Sequence, residues 1–140
     1  MPYPIRIILV DDHDLVRESW KMLLDKDSNF SVIAQCKNGS EAIEQTKNLL
    51  PDIILMDVNM SPVNGFEATQ KITETFPSVK IIGVSINNTP KYATKMLALG
   101  AKGFVTKTST FAELKTAIQK VYAGENYICQ VILKKISPEE

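Results

Sequence analysis

Three carboxylates and one ammonium stand where hydrophobic runs of this chain end. Asp11 and Asp12 follow IRIILV, Asp57 follows IILM, and Lys107 follows GFVT. If those runs are parallel strands of one sheet, the four charges gather at its carboxyl edge, where open α/β sheets place their ligands. Three carboxylates in one place repel one another unless a hard divalent cation neutralises them, and a nearby lysine then suits an incoming phosphoryl group. The arrangement points to a site for Mg2+ and phosphate.

The elements that must position these residues alternate in type. Residues 5–10 form a continuous β-branched and aliphatic run, as in a strand buried on both faces, and residues 15–24 follow with a helical pattern. Residues 30–36 read as a second strand. Asn38-Gly39 then turns the chain into a helix whose Ala42, Ile43, Thr46, Leu49 and Leu50 recur at helical spacing until Pro51 stops it. After a third strand at 53–56, Asn64 with Glu67 three residues later predicts a capped helix with Ala68, Ile72 and Phe76 on its inner face. Residues 79–85 make a fourth strand, 89–99 a fourth helix ended by Gly100, and 103–106 a fifth strand. Thr110 precedes a last helix whose stripe of Phe111, Leu114, Ile118 and Val121 ends at Gly124. Five βα repeats with short connections predict a doubly wound parallel sheet with five flanking helices.

Composition narrows the class. With 140 residues, 44% of them hydrophobic, the chain fits one domain able to bury a single core. Its 16 basic and 16 acidic side chains cancel, which argues against a surface made to coat nucleic acid or an anionic membrane. The apolar runs are too short to span a bilayer, and no charged-then-apolar leader opens the chain, so a cytoplasmic setting is expected. Cys36 and Cys129 lack CxxC spacing and suitable histidine neighbours, and read as free thiols.

The segments LVDDH, LMDVNM, VSINN and FVTK, in this order and spacing, resemble the receiver domain of bacterial two-component response regulators. The resemblance covers roughly residues 5–124 and is specific because four separated motifs agree. It implies a flavodoxin-like five-stranded sheet of order 2-1-3-4-5. The opening LVDDHDLVRESWKMLL and the closing AIQKVYAGENYI are most similar to the branch whose receivers precede a LuxR-type helix-turn-helix, and the final ISPEE resembles the start of that DNA-binding domain. Residues 1–125 are accordingly expected to be the receiver, and 126–140 a linker toward an output domain absent from the chain. The implied function is phosphoacceptor signalling: a sensor histidine kinase supplies the phosphoryl group and transcription is the output. A phosphorylation-dependent homodimer is a further expected partner, with DNA contacted only through the missing domain, and no membrane.

Roles follow residue by residue. Asp57 is the expected nucleophile, forming a labile acyl phosphate. Asp12 is expected to coordinate Mg2+ directly and Asp11 through water, with Asp57 and the main-chain carbonyl of Asn59 adding oxygens. Lys107 and the Ser85 hydroxyl are expected to hold the phosphoryl oxygens. By resemblance, movement of the Ser85 hydroxyl frees space into which Phe104 turns, reshaping a face built by Lys91, Lys95, the fifth strand and the last helix.

Each signal has a plainer competitor. An acidic pair after a strand is often a helix cap, a part Asp11 or Asp14 could play; Lys107 alone is more often a solvated lysine, Ser85 alone a common strand-end hydroxyl, and Phe104 would normally be core, here core and switch together. His13 reads as a solvated first-turn residue and Trp20 as partly buried packing. Departures from the family pattern are specific: Ser61 stands where proline is usual and Pro62 follows, Gly65 keeps its expected place, and Ile86 restricts access to the site. Asn59 and Asn87 occupy positions that in the family flank the water's approach, and neither is an acid or base able to activate it strongly, which favours a long-lived phosphoryl state without enzymatic turnover. Two other classes compete, a Mg2+-dependent phosphohydrolase and a binding module that is never phosphorylated. The first normally carries an acid where Asn59 stands; the second has no need of the intact set Asp11, Asp12, Asp57, Ser85 and Lys107.

Overall fold

The computed structural model describes residues 3–60, 64–86 and 89–136. Ser61, Pro62 and Asn87 lie outside them. The elements are β1 (Ile5–Val10), α1 (Asp14–Asp25), β2 (Phe30–Cys36), α2 (Gly39–Leu49), β3 (Ile53–Asp57), α3 (Gly65–Thr75), β4 (Lys80–Ser85), α4 (Pro90–Ala98), β5 (Gly103–Thr106), α5 (Phe111–Tyr122), β6 (Tyr127–Ile128) and α6 (Gln130–Ile136). All strand pairs are parallel and the order is β2-β1-β3-β4-β5-β6. Successive connections leave α2, α3 and α4 in contact along one face, while the Lys115–Asp27 ion pair ties α5 to the end of α1 on the other.

Local chemistry accounts for the boundaries. Asn64 accepts from the Glu67 N–H while the Glu67 carboxylate accepts from the Asn64 N–H, the reciprocal cap expected at α3. Leu50 at the end of α2 takes φ 46°, a left-handed conformation rare for leucine, and Arg6 secures that corner by donating to the Leu49 and Leu50 carbonyls. Gly100 and Gly124, at φ 109° and 102°, close α4 and α5. β1 and β3 are almost wholly buried, consistent with strands covered on both faces.

Among the described residues, the expected sheet of five strands and five helices is corrected to six of each. The two-residue β6 bonds to the free edge of β5 through Tyr127 N–H to Lys102 O at 3.0 Å and Cys129 N–H to Phe104 O at 2.9 Å. Helix α6 then packs against α4, burying Cys129 and Ile132. The physical reason is the unpaired β5 edge, which offers donors and acceptors to any segment that returns along it. The part of 126–140 expected to be linker is thus, through residue 136, joined to the sheet.

Candidate functional site

Asp11, Asp57 and Lys107 are placed by backbone hydrogen bonds at or just past strand ends. The Asp11 N–H donates to Cys36 O at 3.0 Å, Val58 N–H after Asp57 donates to Val84 O at 3.0 Å, and Lys107 N–H donates to Ser85 O at 2.8 Å. These bonds carry the sheet ladder one step past β1, β3 and β5, so the following side chains share one edge. Gly65 locks the segment after Asp57. A Cβ at Gly65 would lie 2.2 Å from Asp57 O and 2.6 Å from Val58 Cα, so only glycine lets α3 approach.

The structure brings the predicted charges together. Lys107 Nζ lies 2.9 Å from Asp11 Oδ2 and 3.3 Å from Asp57 Oδ2. Asp57 is 1% exposed and its Oδ1 accepts the Asn59 N–H at 3.0 Å. Burial pushes the Asp57 carboxyl up to about 6; the Asp11 charge adds to the rise, and the Asn59 N–H and Lys107 hold it back. Asp12 is exposed. Ligand atoms of Asp11, Asp12, His13 and Asp57 all lie within 4.8 Å of one another, a set with three hard carboxylates.

Ser85 is fully buried, and its hydroxyl donates to Asn59 Oδ1 at 3.4 Å. Phe104 is fully buried. Gly83 on β4 makes the room, since a Cβ there would lie 2.8 Å from Phe104 Cδ1 and 2.9 Å from Met96 Cε. Lys95, expected on an output face, lies 4.3 Å from the Phe66 ring centroid and is engaged between α3 and α4.

Two residues have more to do than their sequence context suggests. His13 is the N-cap of α1 with no side-chain cap bond, and its Nδ1 points into the site, 3.0 Å from Lys107 Nζ, 3.1 Å from Asp11 Oδ1 and 3.3 Å from Asp12 Oδ1. It is not simply solvated. Asp14, a candidate cap, instead pairs with Arg17 in the first turn, and Asp11 Oδ1 accepts the His13 N–H. Arg17 is 5% exposed and was legible only as one residue of a helix, although it stands seven positions before Leu24, the other buried residue of α1. A groove of about 580 Å3 between α2 and α3, lined by Ser40, Ile43, Glu67 and Lys71 among others, lies apart from this chemistry.

Comparison with known proteins bears on this geometry. A family model described as the response regulator receiver domain matches residues 7–119. The response regulator GacA of Pseudomonas viridiflava is 36% identical over 140 residues, covering 96% of this chain and 65% of that protein. The response regulator UvrY of Escherichia coli (strain K12) is 33% identical over 141 residues, covering 97% and 65%. The chain thus spans slightly under two thirds of the length of these curated relatives. A crystal structure of a two-component response regulator of the LuxR family from Aurantimonas sp. SI85-9A1 superimposes with a TM-score of 0.92 at 33% identity, covering 97% of both chains.

Proposed function

Because the chain belongs to the response regulator receiver family, in which it is most like the LuxR-type branch, we propose that Asp57 accepts a phosphoryl group from a sensor histidine kinase and that the domain switches a transcriptional output. The observation that carries this reading is the Lys107 ammonium, held within 3.3 Å of Asp57 and 2.9 Å of Asp11 at the carboxyl edge of the sheet. A buried carboxylate beside a fixed cation suits attack on phosphorus and stabilisation of the oxygens that arrive with it.

The donor set fits a hard divalent cation, because three carboxylates converge where one lysine leaves negative charge in excess. Asp12 would bind Mg2+ directly, Asp11 through water, and Asp57 with the Asn59 carbonyl would complete the oxygens. Bound Mg2+ supplies neutralisation of the charge on the phosphoryl oxygens. An Asp57 oxygen attacks phosphorus, the bond from phosphorus to the donor imidazole nitrogen breaks, and its electron pair leaves with that nitrogen. Lys107 then donates to one phosphoryl oxygen. The Ser85 hydroxyl exchanges Asn59 for another, and Phe104 repacks inside the core. Asn59 provides no base for water, so the acyl phosphate persists and the domain signals without turning over a substrate. On this reading residues 1–125 hold the phosphoacceptor chemistry, 126–140 add β6 and α6 to the fold and lead on toward a DNA-binding domain, phosphorylation promotes a homodimer, and the setting is cytoplasmic.

Intact mass measured after incubation with Mg2+ and a small phosphodonor tests the proposal. One acid-labile phosphate adduct in the wild type and none in Asp57→Asn is the expected result. Continuous phosphate release would indicate a hydrolase, and no adduct a module that is never phosphorylated.

A further inference from the structure

We propose that Arg17 is a positioning residue for cation binding at the acidic pocket, acting through the main chain of Asp11. The inference rests on the reading of that pocket as a Mg2+ site. Only 6% of the Arg17 side chain is exposed, and its donors serve three separate parts of the fold. Nη1 donates to Asp11 O at 2.6 Å, Nε to Gln35 Oε1 at 3.1 Å on β2, and Nη2 to Asp14 Oδ1 at 2.8 Å.

Burying a guanidinium is costly unless its donors are satisfied, and here Nε, Nη1 and Nη2 each find an acceptor. What the charge does at Asp11 explains its presence. The Asp11 N–H is tied to Cys36 O at 3.0 Å and its carbonyl to Arg17, so the peptide on each side of its Cα is held. The carboxylate is thereby directed at Lys107 Nζ, 2.9 Å away, and at the His13 N–H, 2.8 Å away. Arg17 approaches from the carbonyl side, where it sets the direction of Asp11 without taking a place among the carboxylate oxygens. Lysine cannot replace it, because one ammonium cannot span three acceptors in separate elements. Groups that orient ligands from behind typically change metal affinity 10–100-fold when removed.

The test compares wild type, Arg17→Lys and Arg17→Gln by Mg2+ titration. Emission of Trp20, which shares a small internal space with Asp11 and Arg17, reports binding. Free Mn2+ counted by electron paramagnetic resonance gives a readout independent of the tryptophan. The dissociation constant is expected to rise about tenfold in Arg17→Gln and at least about threefold in Arg17→Lys. A purely structural arginine would lower the urea midpoint yet leave the affinity of the folded protein unchanged, so affinities within twofold of wild type in the folded variants overturn the proposal. If Arg17→Gln does not fold, Arg17→Lys decides. If the wild type binds neither cation, the Mg2+ reading itself fails and this inference falls with it.

Discussion

Asp57 is held in its place at a cost in stability. Its carboxyl is raised from the ordinary 3.8 to about 6 by burial and by Asp11. The folded state therefore holds this proton more tightly than the unfolded chain, and stability falls as pH rises from about 4 to about 6, with the full penalty present above that window. Two pKa units correspond to at most about 3 kcal/mol. Without divalent cations, Asp57→Asn is expected to be roughly 1–3 kcal/mol more stable than wild type at pH 7.5, with the gap closing below pH 4; urea unfolding at the two pH values measures it. Ser85 carries a different prediction. Its hydroxyl rests 3.4 Å from Asn59 Oδ1, so Ser85→Ala should still be phosphorylated at Asp57 yet lose most of the change that follows. Amide chemical shifts in α4 and α5, with and without a phosphoryl mimic and Mg2+, check this; equal shift changes in both proteins would place the signal elsewhere.

Helix α3 and the β6–α6 segment each include contacts that a single substitution removes. The close approach of α3 to β3 requires Gly65. Gly65→Ala forces a Cβ onto the Asp57 carbonyl, where backbone must move, and should cost about 3 kcal/mol or more in urea unfolding while slowing labelling of Asp57. Besides the β5 ladder and the packing on α4, Glu113 ties down the β6–α6 segment: its Oε2 accepts the Tyr127 hydroxyl at 2.9 Å and the Gln130 N–H at 2.8 Å. Burial first, and Glu113 second, push the Tyr127 phenol up to about 12, so the hydroxyl keeps donating at any working pH. Glu113→Ala should ease local opening by about 1–2 kcal/mol, seen as roughly tenfold faster amide exchange over 127–136, with β1 and β3 unaffected. Uniform acceleration across the sheet would mean that the segment is not separable from the core.

At the level of the whole domain, occupancy of the acidic edge should register as stability. A cation that binds only the folded state adds about 1.4 kcal/mol when present at tenfold its dissociation constant, or about 3–5 °C in melting temperature for a chain of this size. The shift is expected with Mg2+ in the wild type and should be much smaller in Asp57→Asn, where one anionic ligand is lost; differential scanning fluorimetry with and without Mg2+ decides it. Any partner that reads β5 meets a surface altered by the C-terminal segment, since β6 covers the β5 edge and α6 presents half-exposed Val131, Leu133 and Ile136 beside α4.

Much of this protein was legible without coordinates. Strands β1 to β5, the reciprocal cap at Asn64 and Glu67, and the gathering of Asp11, Asp12, Asp57 and Lys107 at one edge follow from apolar runs and strand-end positions, which are local properties of a chain. The tertiary structure decided what depends on distant partners. Tyr127–Ile128 is too short to show any periodicity and is a strand only because β5 offers an open edge. Phe104 is internal because Gly83, on the neighbouring strand, leaves room for its ring. Arg17 looks like a surface arginine until the Asp11 carbonyl and Gln35 close around it. The Asp57 carboxyl rises because other strands remove its water and bring Asp11 near, and no short window of sequence contains that environment.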